Sequence, residues 1–216
     1  MATVLEILSD FVEKHGQAGV QSTGSKVVTY SGTLYNVIGS TSDPKIGGSW
    51  KTLLTNNGIG TGSNNHCYVT NNTNPGGSSH PQFDVGGHVT PNSSGSVATG
   101  GTCYLMPLCS AHNGHAQDHT AFSHPSKILQ LTGYMQGELA ETFMARLPSE
   151  EPLSIIYESV DGWKNQSLSA DEWGARNTMK LHGTASAGLP PRYVIFRKEV
   201  RNGEIFHVVE ASNLTA

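Results

Sequence analysis

The sequence predicts an α+β domain in which an N-terminal helix and a C-terminal antiparallel β-hairpin flank a central metal-binding segment. Three observations predict this architecture: helical spacing of apolar residues near the N-terminus, a concentration of cysteine and histidine in the middle, and an Asn-Gly turn between two β-rich runs near the C-terminus. A chain of 216 residues is long enough to bury a core, so we expect one domain spanning residues 1–216.

Local patterns predict the elements that precede the central segment. Residues 3–15 carry apolar side chains at helical spacing and are followed by Gly16, which predicts an amphipathic helix. The β-branched and aromatic run over residues 26–38 predicts a hairpin or two short strands, located at a sheet edge.

The elements that follow the central segment have conventional signals. Residues 136–146 have high helix propensity, and residues 153–157 are typical of a strand. Ser169 and Glu172 have the Ser-x-x-Glu spacing of a capping box, which predicts that a short helix begins there. The dipeptide Asn202-Gly203 predicts the turn of the C-terminal hairpin.

Residues 52–126 differ in composition from the rest of the chain. This run of 75 residues contains no Lys or Arg and only two acids, Asp84 and Asp118, yet it holds all three cysteines and seven of the ten histidines. Its Asn-Asn and Gly-Gly pairs predict repeated turns, so a flexible polar loop is one interpretation. Apolar strand-like pieces recur within it, however, which favours a segment anchored by metal where apolar burial is sparse.

Charge and composition restrict the partners and the compartment. A formal net charge of −4, with no cationic residue in the central segment, makes nucleic acid an improbable partner. No apolar run is long enough for a membrane span, and the N-terminus lacks the pattern of an export signal, so we expect a cytoplasmic protein. Three cysteines are an odd number and too few for a disulfide framework, which leaves thiols available for metal.

The strongest ligand pair is Cys109 with His112. A Cys-x-x-His spacing brings a thiolate and an imidazole together across one turn, which suits a tetrahedral zinc ion, and Cys67 and His88 can complete four ligands. An alternative uses the same abundance of histidine, since imidazoles also serve as axial ligands of haem. On a helix, His112 would share one face with two further histidines, at positions 115 and 119.

Two pieces of the central segment resemble the HNH, or ββα-metal, finger family. They are VGGHVTP at residues 85–91 and YLMPLCSAHN at residues 104–113, and the resemblance covers about residues 67–115. It implies a central ββα finger that binds zinc. Where the family has a second cysteine after each first one, this chain has Thr70 and His112.

The same resemblance implies roles for three side chains. His88 falls where the family keeps its general base, and Asn113 and His115 would orient ligands or substrate. A nuclease also needs cationic groups along a phosphate path, and the central segment has none.

The sequence therefore favours a zinc-binding, HNH-like finger protein without fixing whether it is an enzyme. If it is catalytic, the uncharged surroundings favour a metal-dependent hydrolase or lyase acting on a small uncharged substrate. Three alternatives stay open: a His-ligated haem protein, an HNH-type nuclease, and a non-catalytic interaction module stabilised by zinc.

Overall fold

The described part of the chain consists of two compact units built mainly from antiparallel β-sheet. The first unit comprises residues 1–22, 44–47 and 139–216, and the second comprises residues 23–43 and 48–138. The structure is a computed structural model, and it describes residues 3–16, 19–21, 24–39, 49–71, 82–98, 100–125, 127–134, 151–181 and 189–215.

The first unit contains a five-stranded antiparallel sheet with the strand order β1-β10-β9-β7-β8. The last four strands form two hairpins, and the second hairpin turns at Asn202-Gly203, where both residues have positive φ. The sequence prediction of a C-terminal hairpin is confirmed. The strands are β1 Val20–Gln21, β7 Leu153–Ser159, β8 Gly162–Leu168, β9 Tyr193–Arg201 and β10 Glu204–Asn213.

Helix α1, Val4–His15, packs on one face of this sheet. It begins at a capping box between Thr3 and Glu6, which satisfies backbone donors of the first turn. Its buried face packs against apolar side chains of β7 and β9, and the rings of Phe11 and Phe196 meet edge to face at 5.6 Å. The predicted N-terminal helix is confirmed.

Helix α3, Ala170–Leu181, begins at the predicted capping box, in which the Ser169 hydroxyl accepts the Glu172 backbone N–H. Trp173 of this helix packs on a second apolar cluster of the sheet. Side chains alternate along a strand, so this cluster and the one under α1 lie on opposite faces. The second cluster contains Leu153, Ile155, Leu168, Tyr193 and Ile195.

The second unit contains another five-stranded antiparallel sheet, with the strand order β2-β6-β5-β4-β3. The run over residues 26–38 forms two short strands at the two opposite edges, where β2 pairs with β6 and β3 with β4, rather than one hairpin. Helix α2, Trp50–Asn56, contacts β4 and β5. The strands are β2 Gly24–Thr29, β3 Tyr35–Asn36, β4 Val85–Thr90, β5 Gly101–Leu108 and β6 Lys127–Tyr134.

The predicted α+β fold with a central ββα finger is wrong. The two strands that would open the finger exist as β4 and β5, but they belong to a β-rich unit, and no α-helix follows them in the described residues 109–125. A turn and the 3-10 helix His115–Gln117 lead to β6 instead. The polar residues 110–120 lack apolar side chains at helical spacing, and His119 has a φ of 65°, so the three histidines share no helical face.

Two expectations concern other parts of the chain. The predicted strand at residues 153–157 is confirmed within β7. The helix predicted at residues 136–146 lies outside the described residues.

Among the helices that the structure describes, none has the length and apolar character needed to span a lipid bilayer.

His207 makes the stability of the first unit depend on pH. It lies on β10 opposite Lys198 of β9, is only 5% exposed, and its Nδ1 has no hydrogen-bond partner among the described residues. Burial, assisted by the Lys198 charge, lowers the pKa of His207 from 6.5 to about 4. The unfolded chain therefore binds the proton more readily than the folded chain between these two pH values.

We predict that the contribution of His207 to the free energy of unfolding does not change with pH above pH 6.5. Below that pH, protonation of His207 in the unfolded chain should lower the free energy of unfolding by up to about 3 kcal/mol as the pH approaches 4. Urea unfolding across this pH range measures the effect. In His207→Leu the free energy of unfolding should change less steeply with pH than in the wild type. In His115→Gln, which removes an exposed imidazole, the pH dependence should be that of the wild type. An unchanged slope in His207→Leu would contradict the assignment.

Candidate metal centre

Cys67 is held beside the end of β5 by main-chain hydrogen bonds of the residues that follow it. The Tyr68 N–H donates to the Pro107 carbonyl at 2.8 Å, and the Thr70 N–H donates to the Ser123 carbonyl at 2.9 Å. The extended stretch from residue 67 to 70 therefore lies against two later segments of the chain. Cys67 itself is 3% exposed.

Cys109 follows the last residue of β5 and begins the turn that carries His112. The Asn113 N–H closes this turn by donating to the Cys109 carbonyl at 3.1 Å. The Asp84 carboxylate also stabilises this turn, because its Oδ2 accepts the N–H of Ser110 at 2.9 Å and the hydroxyl of Ser110 at 3.1 Å. The turn thus fixes both side chains of the Cys-x-x-His pair.

Three buried donor atoms meet at this point. His112 Nδ1 lies 3.2 Å from Cys109 Sγ and 3.5 Å from Cys67 Sγ, and the three atoms all lie within 4.8 Å of one another. A tetrahedral ion with Zn–S bonds of about 2.3 Å and Zn–N bonds of about 2.0–2.1 Å would separate sulfur from nitrogen by about 3.6 Å. Cys67, Cys109 and His112 could therefore hold a metal ion.

The surroundings restrain the imidazole and the thiols. The His112 ring meets Phe122 edge to face at 5.7 Å, and the His112 carbonyl accepts the Asn36 Nδ2–H at 2.8 Å. Burial raises the pKa of the Cys67 thiol to about 11, although the backbone N–H groups of Val69 and Cys109 act in the opposite direction. Those two N–H groups favour a sulfur that carries negative charge, as a metal-bound thiolate does.

The third cysteine belongs to the apolar core. Cys103 is fully buried within β5, and burial raises the pKa of its thiol strongly. It is not part of the group formed by the other two cysteines. Its burial is that of a small core residue rather than of a ligand.

The structure places His88 outside the group of three donors. His88 lies on β4 and is 4% exposed, and its ring lies 4.7 Å from the Trp50 ring and 5.2 Å from the Tyr134 ring. Gly86, two residues earlier on the same face, has no room for a Cβ because the Trp50 backbone would lie 2.7 Å away. Close approach of α2 to this glycine therefore puts an aromatic ring against the imidazole.

Asn113 and His115, the other two predicted site residues, lie together in the lining of one shallow cleft. Asp118 joins them there, and its Oδ2 lies 3.4 Å from His115 Nδ1. Residues 36–39, which comprise the last residue of β3 and the three that follow it, also line the cleft. None of the three donors of the metal group lines this cleft.

Sequence reasoning missed three residues that support these sites. Asp84 and Asp118 are the only acids in residues 52–126, and that scarcity is a signal that could have marked them. Asn36 carried no such signal, because it lies about thirty residues before the first cysteine. The pairing of β3 with β4 and of β4 with β5 brings it close to His112.

Comparisons with known proteins bring no match: no protein-family model, no curated protein and no solved structure corresponds to this chain. They therefore do not bear on the resemblance of residues 67–115 to HNH fingers. The arguments for function come from the geometry of the described residues.

We predict that His88→Phe binds metal as the wild type does, because the aromatic replacement preserves packing against Trp50 and Tyr134 and leaves the three candidate donors in place. Elemental analysis should find the same metal content in the variant and the wild type. If the variant instead folds but loses its metal, His88 is a ligand, as the sequence alone had indicated.

Proposed function

We propose that this protein binds a zinc ion through Cys67, Cys109 and His112, and that the ion organises the loop between β5 and β6. The observation that carries the proposal is the meeting of two thiols and an imidazole, each less than 5% exposed, near the spacing of a tetrahedral site. Cysteine and histidine donors of this kind favour zinc over the hard cations, which prefer oxygen.

Burial of the donors supports a role for the ion in folding. Two of the donors belong to one turn and the third to a segment more than forty residues earlier, so a bound ion cross-links distant parts of the second unit. The loop it would hold, from Cys109 to His119, contains few apolar side chains of its own. Binding energy at such a site contributes directly to stability.

We predict that Cys109→Ala abolishes stoichiometric zinc binding and lowers the free energy of unfolding by at least about 3 kcal/mol. Cys103→Ala is the matched control, because it removes a buried thiol from the same strand region without touching the donor group. It should keep the zinc and lose only the stability of a small core truncation.

Elemental analysis and denaturant unfolding of both variants measure the two effects. Full zinc content in Cys109→Ala would contradict the proposed ligand set. Equal loss of zinc in both would show that metal content follows general stability rather than ligation.

A second candidate function is metal-dependent catalysis, and the donor count favours it. The described residues supply three donors, and catalytic zinc sites combine three protein ligands with a position for water or substrate. The enzyme expected in that case is a hydrolase or a lyase in which the ion activates water or polarises a small substrate.

Cobalt(II) substitution separates the two candidates, because the visible spectrum of the ion reports its ligands. If the fourth position is exchangeable, added free imidazole should shift the cobalt bands of the wild-type protein. An unchanged spectrum would exclude an accessible position at the metal and leave the organising role alone.

A further inference from the structure

Cys67 and Cys109 supply the two sulfur atoms of the candidate metal group, and both are free thiols. Their sulfur atoms lie within 4.8 Å of each other, and the Cys109 N–H also contacts the Cys67 sulfur. The main chains beside them are joined as well, because the Tyr68 N–H donates to the Pro107 carbonyl at 2.8 Å. The two side chains therefore leave adjacent segments of the second unit.

The gap between the two sulfur atoms is one that side-chain rotation can close. A disulfide bond is about 2.05 Å long, so each sulfur would move by at most about 1.4 Å. A zinc ion with Zn–S bonds of about 2.3 Å would hold the same two atoms about 3.8 Å apart. The pair can therefore be joined either through an ion or directly.

The third cysteine lies outside this pair. Cys103 is fully buried in β5 and is not part of the donor group. It precedes Cys109 by six residues along an extended strand, which corresponds to about 20 Å. Since the chain has three cysteines, only one intramolecular disulfide can form, and the geometry selects Cys67 with Cys109.

Both sulfur atoms are buried, yet residues that reach solvent adjoin them along the chain. Cys67 is 3% exposed and Cys109 is 4% exposed. Ser110, directly after Cys109, is exposed, and His66, directly before Cys67, is half-buried. The loop between β5 and β6 has few apolar side chains, so its local opening costs little free energy and admits a molecule as small as hydrogen peroxide.

We propose that Cys67 and Cys109 are a redox pair, which a peroxide oxidises to a disulfide with release of the zinc that they bind. One thiolate attacks a peroxide oxygen, the O–O bond breaks, and that sulfur becomes a sulfenic acid. The second thiolate attacks the same sulfur, forms the S–S bond and displaces hydroxide. With two protons taken up, the two electrons lost by the sulfurs reduce one hydrogen peroxide to two water molecules.

Oxidation replaces one cross-link by another. A disulfide lacks the thiolate charge that binds the ion, so His112 is left as the single strong donor of the three. The disulfide still joins residues 67 and 109, so the second unit stays cross-linked after its metal leaves. The inference rests on the proposed zinc function and makes the metal content of that site respond to oxidation.

The test is treatment of the zinc-loaded full chain with hydrogen peroxide in the presence of a chromogenic zinc chelator. We expect one zinc ion to be released for each disulfide formed. Mass spectrometry of alkylated and digested protein should identify the linked peptide that contains Cys67 and Cys109. Reduction with dithiothreitol followed by added zinc should restore the metal content, and chelator without peroxide measures loss of zinc in the absence of oxidation.

Cys103→Ala is the matched control variant, because it removes a core thiol that lies outside the pair. It should form the disulfide and release zinc as the wild type does. Urea unfolding adds a second measurement on the wild type. Oxidised, zinc-free protein should unfold at a higher urea concentration than reduced, zinc-free protein, because the disulfide keeps the cross-link.

Release of zinc without the Cys67–Cys109 peptide, or a disulfide that includes Cys103, would overturn the proposal. Equally rapid release by the chelator alone, or equal urea midpoints of the oxidised and reduced zinc-free forms, would also overturn it. If the isolated protein holds no zinc and peroxide still links the pair, the proposed zinc function fails and the disulfide assignment stands. If zinc is present and no link forms, only the redox assignment fails.

Discussion

The close approach of Cys67, Cys109 and His112 is the constraint on which the candidate site of the second unit depends. A single thiol packs well in a core, but here two thiols meet an imidazole, and all three are withdrawn from water and lie within hydrogen-bonding or ligating distance. Burial of such groups is favourable when a shared partner compensates for the loss of solvation, and a metal ion compensates all three at once. The turn closed by Asn113 and fastened by Asp84 belongs to the same arrangement.

The cleft follows from that constraint because it begins where the constrained turn ends. Asn36 links the two features, since its Nδ2–H donates to the His112 carbonyl and the residue also lines the cleft. The loop between β5 and β6 carries Asp118 and His115 into the lining of the cleft although it has few apolar side chains of its own. The second unit thus combines a buried group of soft ligands with a cleft whose lining is both polar and apolar.

Local signals in the sequence were sufficient for the regular elements but not for the architecture. The helix at α1, the capping box before α3 and the Asn202-Gly203 turn depend on neighbouring residues, and all were predicted. The Cys-x-x-His pair is also local, which is why the sequence indicated it. Cys67 is distant in sequence and was predicted only as a residue that could complete the ligand set. The ββα finger was wrong because strand pairing decided the outcome: β5 has β4 on one side and β6 on the other, so the chain after Cys109 returns to the sheet instead of forming a helix. Asn36 and the ring contacts of His88 depend on that pairing as well.

The central claim is that zinc occupies the group of Cys67, Cys109 and His112. The most direct measurement is the metal content of wild-type protein purified without added metal, together with an absorption spectrum of the same sample. The account predicts one zinc per chain, no band in the visible region, and release of the zinc when the protein is unfolded in the presence of a chelator. A folded protein without metal would contradict it, and a Soret band would assign the histidines to haem instead.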